Sequence, residues 1–140
     1  MHTPDLRRIR DSFAWFAPCG PALIAQAVRL AADRDEDIRA MLPDDQEHLN
    51  TLLFRTLAHV VKHADHFALL EAQLGTVAQR ASQVGLRPSQ YPLLRDCLLK
   101  ALANLAGENW TRELAKDWFT LLEGIHGIML VSAAPARRAA

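Results

Sequence analysis

Hydrophobic residues recur at every third or fourth position along the chain, and no stretch alternates apolar and polar residues with a period of two. This spacing is typical of amphipathic helices and argues against strands. Ala and Leu dominate the apolar positions, while Gly and Pro fall at the boundaries between segments. We therefore predict a single all-α domain of six to seven helices with short connections.

Capping and helix-breaking residues set the expected boundaries. Asp44 followed by Glu47 resembles an N-cap with a capping-box acid, Gly85 is expected to end a helix, and Asn109 or Thr111 to begin the last one. The predicted helices cover about 4–16, 21–32, 38–42, 45–66, 67 or 70–84, 88–107 and 111–131. The stretch DRDED (33–37) is interpreted as a solvated turn. One domain spans 1–140, with frayed ends expected at 1–3 and 132–140.

Composition narrows the class of protein. The 140 residues suffice for one core, and 50% hydrophobic with 23% charged residues indicates a soluble globular chain. A formal net charge of zero gives no general attraction to nucleic acid or acidic lipid. The N-terminus does not read as a signal peptide, so a cytoplasmic protein without nucleic-acid or membrane partners is expected. Cys19 and Cys97 lack CxxC or metal-ligand spacing and are expected to be buried structural thiols.

Four stretches occur in order without large gaps: CGPALIAQAVRL (19–30), DIRAMLPDD (37–45), VAQRASQVGLRPSQYPLL (77–94) and TRELAKDWFTLLEGI (111–125). Together they resemble the bacterial single-domain globins and the haem domain of flavohaemoglobins, over roughly residues 4–130. The third stretch resembles the proximal helix, which carries the iron-binding histidine in that family. The resemblance implies a globin-like fold.

The same resemblance implies that the haem-binding positions have lost their ligands. The proximal histidine falls on Ala81, and the glutamate that supports it falls near Ala133. The distal tyrosine falls on Val28, the corner aromatic on Leu42, and the distal Gln or His on Leu49. Of these family positions only Tyr91, a proximal-side partner, is retained. We expect this vacated pocket to be lined by Val28, Leu42, Leu49, Leu53, Ala81 and Tyr91.

Helix periodicity leads to the same expectation for Ala81. Leu74, Val77, Ala78 and Ala81 stand at i, i+3, i+4 and i+7, which places Ala81 on the buried face of its helix. A haem ligand needs a lone pair directed at the iron from that face, and a methyl group has none. A shift of one or two residues brings no His, Cys, Met or Tyr into place. No cofactor is therefore expected, with haem as the alternative.

The remaining histidines are interpreted as mostly solvent-facing. His48, His59 and His66 share a stripe with Arg55 and Lys62, about 140° from the apolar face that contains Leu49, Leu53, Leu57 and Val60. His59, His63 and His66 could collect zinc or nickel at the surface, although a plain polar face is favoured and no metal is expected. If haem binds, His48 is the candidate ligand after a half-turn adjustment. His126 is expected to be a satisfied, half-buried imidazole.

A haem-sized void cannot stay empty. At about 24 cal/mol per Å³, several hundred Å³ would cost about 7–12 kcal/mol, comparable to the stability of a domain. Either the helices around Leu49 and Ala81 close together, helped by Phe54, Phe67 and Met129, or an apolar ligand such as a fatty acid fills the space.

The leading hypothesis is a haemless sensory or protein-interaction module that is not an enzyme, since no catalytic triad spacing or phosphate loop is present. It forms a homodimer through its C-terminal helices, or binds an unidentified protein, with Trp110, Trp118 and Phe119 as anchors if exposed. Ordinary core positions remain the alternative for these aromatics. The alternative functions are a haem-binding globin with atypical ligation, for oxygen or nitric oxide, and a carrier of a small hydrophobic molecule.

Overall fold

Seven α-helices and four short 3₁₀ turns make up the part of the chain that the computed structural model describes, which is the backbone of residues 3–139 and the side chains of residues 3–132. No strand occurs in this range. The helices are α1 (Leu6–Phe16), α2 (Gly20–Arg34), α3 (Glu36–Met41), α4 (Gln46–Lys62), α5 (Glu71–Gln83), α6 (Tyr91–Ala106) and α7 (Arg112–Ala139). The 3₁₀ turns are Ala17–Cys19, Phe67–Leu70, Pro88–Gln90 and Gly107–Asn109.

Polar side chains begin most of these helices where the sequence places a capping residue. Thr111 Oγ1 accepts the Leu114 N–H at 3.1 Å, as predicted. Two predicted helix starts were wrong by a residue or two. Helix α1 begins at Leu6 with Asp5 as its cap rather than near residue 4, and Asp45 rather than Asp44 caps α4. In each case the carboxylate accepts the N–H three residues on.

The stretch DRDED is not simply a solvated turn, which corrects the prediction. Asp33 and Arg34 complete α2, and Glu36 and Asp37 begin α3. Between them Asp35 accepts the Asp37 and Ile38 N–H groups and is bonded to Gln90 Nε2 at 3.0 Å. These hydrogen bonds lower the pKa of the Asp35 carboxyl below its usual range, and the bond from Gln90 has the largest effect. Asp35 therefore joins the start of α3 to the start of α6.

Several helix ends also differ from prediction. Helix α4 ends at Lys62 rather than His66, and α7 continues to Ala139 rather than ending near Val131. Gly85 and Gly107 follow α5 and α6 with φ of +104° and +56°, conformations that favour glycine, as expected of helix stops. Fraying at 1–3 and 132–140 stays a prediction, since the backbone of residues 1, 2 and 140 and the side chains of 133–140 lie outside what the structure describes.

The core is built where α2 crosses α6 and α4 and where α5 packs along α7. Its largest fully buried side chains include Trp118, Phe16 and Leu23. Burial of such side chains removes apolar surface from water, which is the main stabilising contribution to folding. In the described part of the chain no helix combines the length and hydropathy needed to cross a bilayer.

Helix α1 is attached to α7 by a buried polar cluster. Trp118 Nε1 donates to Ser12 Oγ at 3.0 Å, and that hydroxyl donates to the Ile9 carbonyl at 2.8 Å. The fully buried carboxylate of Asp117 accepts the Asp5 N–H at 3.0 Å and Arg8 Nε at 2.7 Å. The buried polar groups are thereby satisfied, so α1 has one defined position on α7.

Candidate functional site

The candidate site comprises the predicted lining positions on α4 and α5, none of which lines either cavity of the described residues. Helix α4 packs mainly against α2 and α1, whereas α5 packs mainly against α7, so α4 and α5 are not among the close helix pairs. Leu49 and Leu53 of α4 and Ala81 of α5 are each half-buried. These positions lie on two helices that pack mainly on different neighbours, and α4 and α5 do not form an extensive helix pair of the kind that closure of α4 onto α5 would produce.

The side chains expected to help such a closure pack elsewhere. Phe54 stacks on Phe13 of α1, with ring centroids 5.6 Å apart, and its ring lies 3.4 Å from where a Cβ on Gly20 would be. Phe67 packs against Gly124 of α7. Met129 is buried in the main core. Of the two alternatives for the vacated space, the one in which Phe54 and Phe67 help the helices around Leu49 and Ala81 to close is not supported by these contacts.

Two of the predicted lining residues do share a cavity. Val28 of α2 and Leu42, just after α3, line an open pocket of about 270 Å³. Its wall also contains Arg29 and Arg39, which the sequence analysis did not identify. Arg39 is bonded to Asp33 at 3.0 Å, so one of the two guanidinium groups is already paired. The complete lining set is Ala25, Val28, Arg29, Ala32, Asp33, Arg39, Leu42 and Gln46. The pocket therefore combines apolar side chains with two guanidinium groups and the carboxylate of Asp33.

Tyr91 and His126 form a contact between α6 and α7. Tyr91 is buried at the start of α6, and its ring centroid is 5.2 Å from that of His126 on α7. Burial lowers the pKa of the half-buried His126 below its ordinary value, partly opposed by the charge of Glu123. His126 is thus the half-buried imidazole that the sequence predicted.

The histidines of α4 separate into three environments. His48 is exposed in the first turn of α4, so the half-turn adjustment that would bring it to the apolar face is not observed. His59 and His63 are half-buried, with ring centroids 4.5 Å apart. His66 lies beyond the end of α4, where its Nδ1 is 3.2 Å from Asp65, so it does not share their face as predicted. Among the described residues no three His, Cys, Asp or Glu side chains are grouped for a metal ion.

The predicted anchors on the C-terminal helices differ in exposure. Trp118 is fully buried and therefore cannot contact a partner, which supports the core alternative for this residue. Trp110 is half-buried and packed against the core. Phe119 is 41% exposed, with the Arg95 guanidinium 4.7 Å from its ring centre.

The two cysteines also differ in their exposure to solvent. Cys97 is buried, and burial raises the pKa of its thiol. Cys19 is exposed, so the expectation that both are buried was wrong for Cys19. It lies in the 3₁₀ turn before α2, where the change of chain direction leaves the side chain at the surface.

Comparison with known proteins agrees with this architecture. The sequence profile of the globin family matches residues 31–129. A bacterial globin from Campylobacter jejuni has a similar structure, with a TM-score of 0.83 at 16% identity, covering 95% of this chain and 96% of that one. The CO form of haemoglobin from Mustelus griseus has a TM-score of 0.74 at 19% identity, covering 92% of this chain and 98% of that one.

No curated protein matches the sequence. At identities this low the solved structures establish the fold alone, whereas the family match covers well over half of the chain. The fold is the globin fold, and this chain belongs to the globin family.

Proposed function

We propose that this chain is a globin without haem ligation, which acts as a sensory or protein-interaction module and carries out no oxygen chemistry. The observation that carries the proposal is Ala81, at the position of α5 where the family resemblance places the iron ligand. Its half-buried methyl group has no lone pair to offer a metal.

The donors elsewhere in the chain do not compensate for this loss. His48 is exposed, His59 and His63 lie together at the C-terminal end of α4, and His126 packs on Tyr91. The Cys97 thiol is held neutral by burial, and iron binds cysteine as the thiolate. The residues present therefore do not fit a haem held in the manner of the family.

A hemin titration followed by visible absorption tests the proposal. We expect the spectrum of the mixture to remain that of free hemin, without a sharp Soret band. A sharp band that is abolished by His48→Ala or by His126→Ala would overturn the proposal and support haem binding with atypical ligation. A circular dichroism spectrum of each variant controls for folding.

For the interaction role, we propose a homodimer through α6 and α7. Phe119 and Leu130 lie on one stripe of α7, 41% and 45% exposed, and Leu105 of α6 is 43% exposed. Large apolar side chains at the surface of a water-soluble protein often mark contacts between proteins. Light scattering should give twice the chain mass for the unmodified protein and the chain mass for Phe119→Asp. Leu69→Asp, at a position 63% exposed outside these two helices, is the matched control. A monomer at all concentrations would contradict the dimer.

A second candidate function, carriage of a small amphiphile, is favoured by the pocket beneath Val28 and Leu42. Its volume of about 270 Å³ would hold a short chain, and the guanidinium of Arg29 would pair with a carboxylate, since Arg39 is already paired with Asp33. Mass spectrometry of organic extracts from purified protein should then recover a carboxylic acid, and less of it from Leu42→Trp. Recovery of no such compound would count against this candidate.

A further inference from the structure

We propose that His59 and His63 form a two-imidazole site for a divalent cation of square-planar preference, Cu²⁺ above all. The two residues are one helical turn apart at the end of α4, and their rings meet with centroids 4.5 Å apart and planes inclined by 57°. Both side chains are half-buried, so each imidazole keeps some contact with solvent.

The distance between the two ring centroids can be compared with the distances expected when two imidazoles bind one ion in a square-planar or a tetrahedral arrangement. A metal–nitrogen bond is about 2.0 Å, and the imidazole centroid lies about 1.1 Å behind its nitrogen. Two rings bound cis at about 90° therefore have centroids about 4.4 Å apart, whereas a tetrahedral angle of about 109° separates them by about 5.1 Å. The observed 4.5 Å brings the two rings as close together as two imidazoles bound cis to one ion.

The end of α4 is held in place by contacts that do not use the imidazoles. The His63 N–H donates to the His59 carbonyl at 3.1 Å, which fixes the spacing of the two residues. Arg10 of α1 donates to the Val61 and Lys62 carbonyls at 3.3 and 3.2 Å, and to Asp65 at 3.1 Å. A site that is ordered before the ion arrives loses less conformational entropy when the ion binds.

The number of protein ligands near His59 and His63 also limits which metal ions bind tightly. Because no group of three potential ligands exists among the described side chains, the protein supplies two donors and water supplies the others. Structural zinc sites use four protein ligands, so this pair is not one of them. Imidazole binds Cu²⁺ more strongly than Ni²⁺ or Zn²⁺, and the cis geometry favours the same ion.

The test is calorimetric titration of the full chain with Cu²⁺ after treatment with a chelator. A free amino terminus near a histidine itself binds copper, so all proteins compared carry His2→Ala. We expect one ion per chain, and an affinity at least about tenfold lower in His59→Ala and, independently, in His63→Ala. His48→Ala and His66→Ala are matched controls from the same region and should bind as the parent does.

Electron paramagnetic resonance provides a second readout. The bound Cu²⁺ should show coupling to two imidazole nitrogens in the parent and to one in either single variant. The proposal is overturned if His59→Ala and His63→Ala, folded by circular dichroism, bind Cu²⁺ as tightly as the parent, or if Zn²⁺ binds more tightly than Cu²⁺.

Discussion

Gly124 and Gly127 of α7 differ in the space available for a Cβ atom. A Cβ on Gly124 would lie 2.6 Å from Cε2 and 3.0 Å from Cζ of Phe67, while a Cβ on Gly127 would meet nothing within 4 Å. Gly124 therefore allows the 3₁₀ turn Phe67–Leu70 to approach α7, and Gly127 has no such role. The sequence showed only two glycines in a helical segment.

We predict that Gly127→Ala stabilises the protein by about 0.5–1 kcal/mol, because alanine has the higher helix propensity. Gly124→Ala gains the same propensity but displaces the packed Phe67 ring, at a cost of about 1–3 kcal/mol. Urea unfolding should therefore separate the two variants by at least about 1 kcal/mol, with Gly124→Ala the less stable. Equal stabilities would show that the Phe67 ring moves without cost.

His126 makes the free energy of unfolding depend on pH. Because burial lowers its pKa below the ordinary 6.5, the unfolded chain binds a proton first as the pH falls. Between 6.5 and the folded-state pKa the unfolded state carries more protons, so stability rises with pH in this window and is lost on acidification.

We therefore predict that His126→Gln loses less thermal stability than the unmodified protein between pH 7.5 and 5.5, measured as the change in Tm by circular dichroism. His48→Gln removes an exposed histidine of α4 and serves as the control; it should lose as much as the unmodified protein. An unchanged pH dependence in His126→Gln would contradict this assignment.

At the scale of helices, the order of the helices along the chain and most of their boundaries follow from residues close to each boundary in the sequence. The Gly85 and Gly107 stops and the Thr111 cap were predicted because their effects depend on the nearest few residues. The attachment of α1 to α7 was not predictable, since Ser12 and Trp118 are 106 positions apart and only the fold brings them together.

We predict that Ser12→Ala destabilises the protein by about 1–3 kcal/mol, because it leaves the buried Trp118 indole N–H without its acceptor. The same substitution in a Trp118→Phe background should cost less, since no indole N–H remains to be satisfied. A double-mutant cycle by chemical denaturation measures this coupling. Purely additive effects would show that the hydrogen bond contributes nothing.

At the scale of the whole molecule, the arrangement of α4 and α5 decides whether room for a ligand persists. Helix α4 packs on α2 and helix α5 packs on α7, so each of them is positioned by a different neighbour. A substitution that restores an imidazole at position 81 tests whether α4 and α5 leave room for a porphyrin.

We predict that Ala81→His, mixed with hemin, produces a sharp Soret band that the unmodified protein lacks, because the imidazole returns a donor to the half-buried position on α5. Ser82→His, at the neighbouring exposed position, is the matched control and should give no such band. A spectrum like that of free hemin in both variants would show that α4 and α5 leave too little space for a porphyrin.

The sequence by itself determined the helical class, the order of the helices and most of their boundaries, because these depend on periodicity and caps within a few residues. It also determined that Ala81 offers no ligand, since that is a matter of residue type. Only the tertiary structure decided that Trp118 is buried, that Phe54 packs on Phe13, and that His59 meets His63 while His66 does not. These outcomes depend on where helices end and which surfaces they cover, and both are set by contacts between residues far apart in the chain.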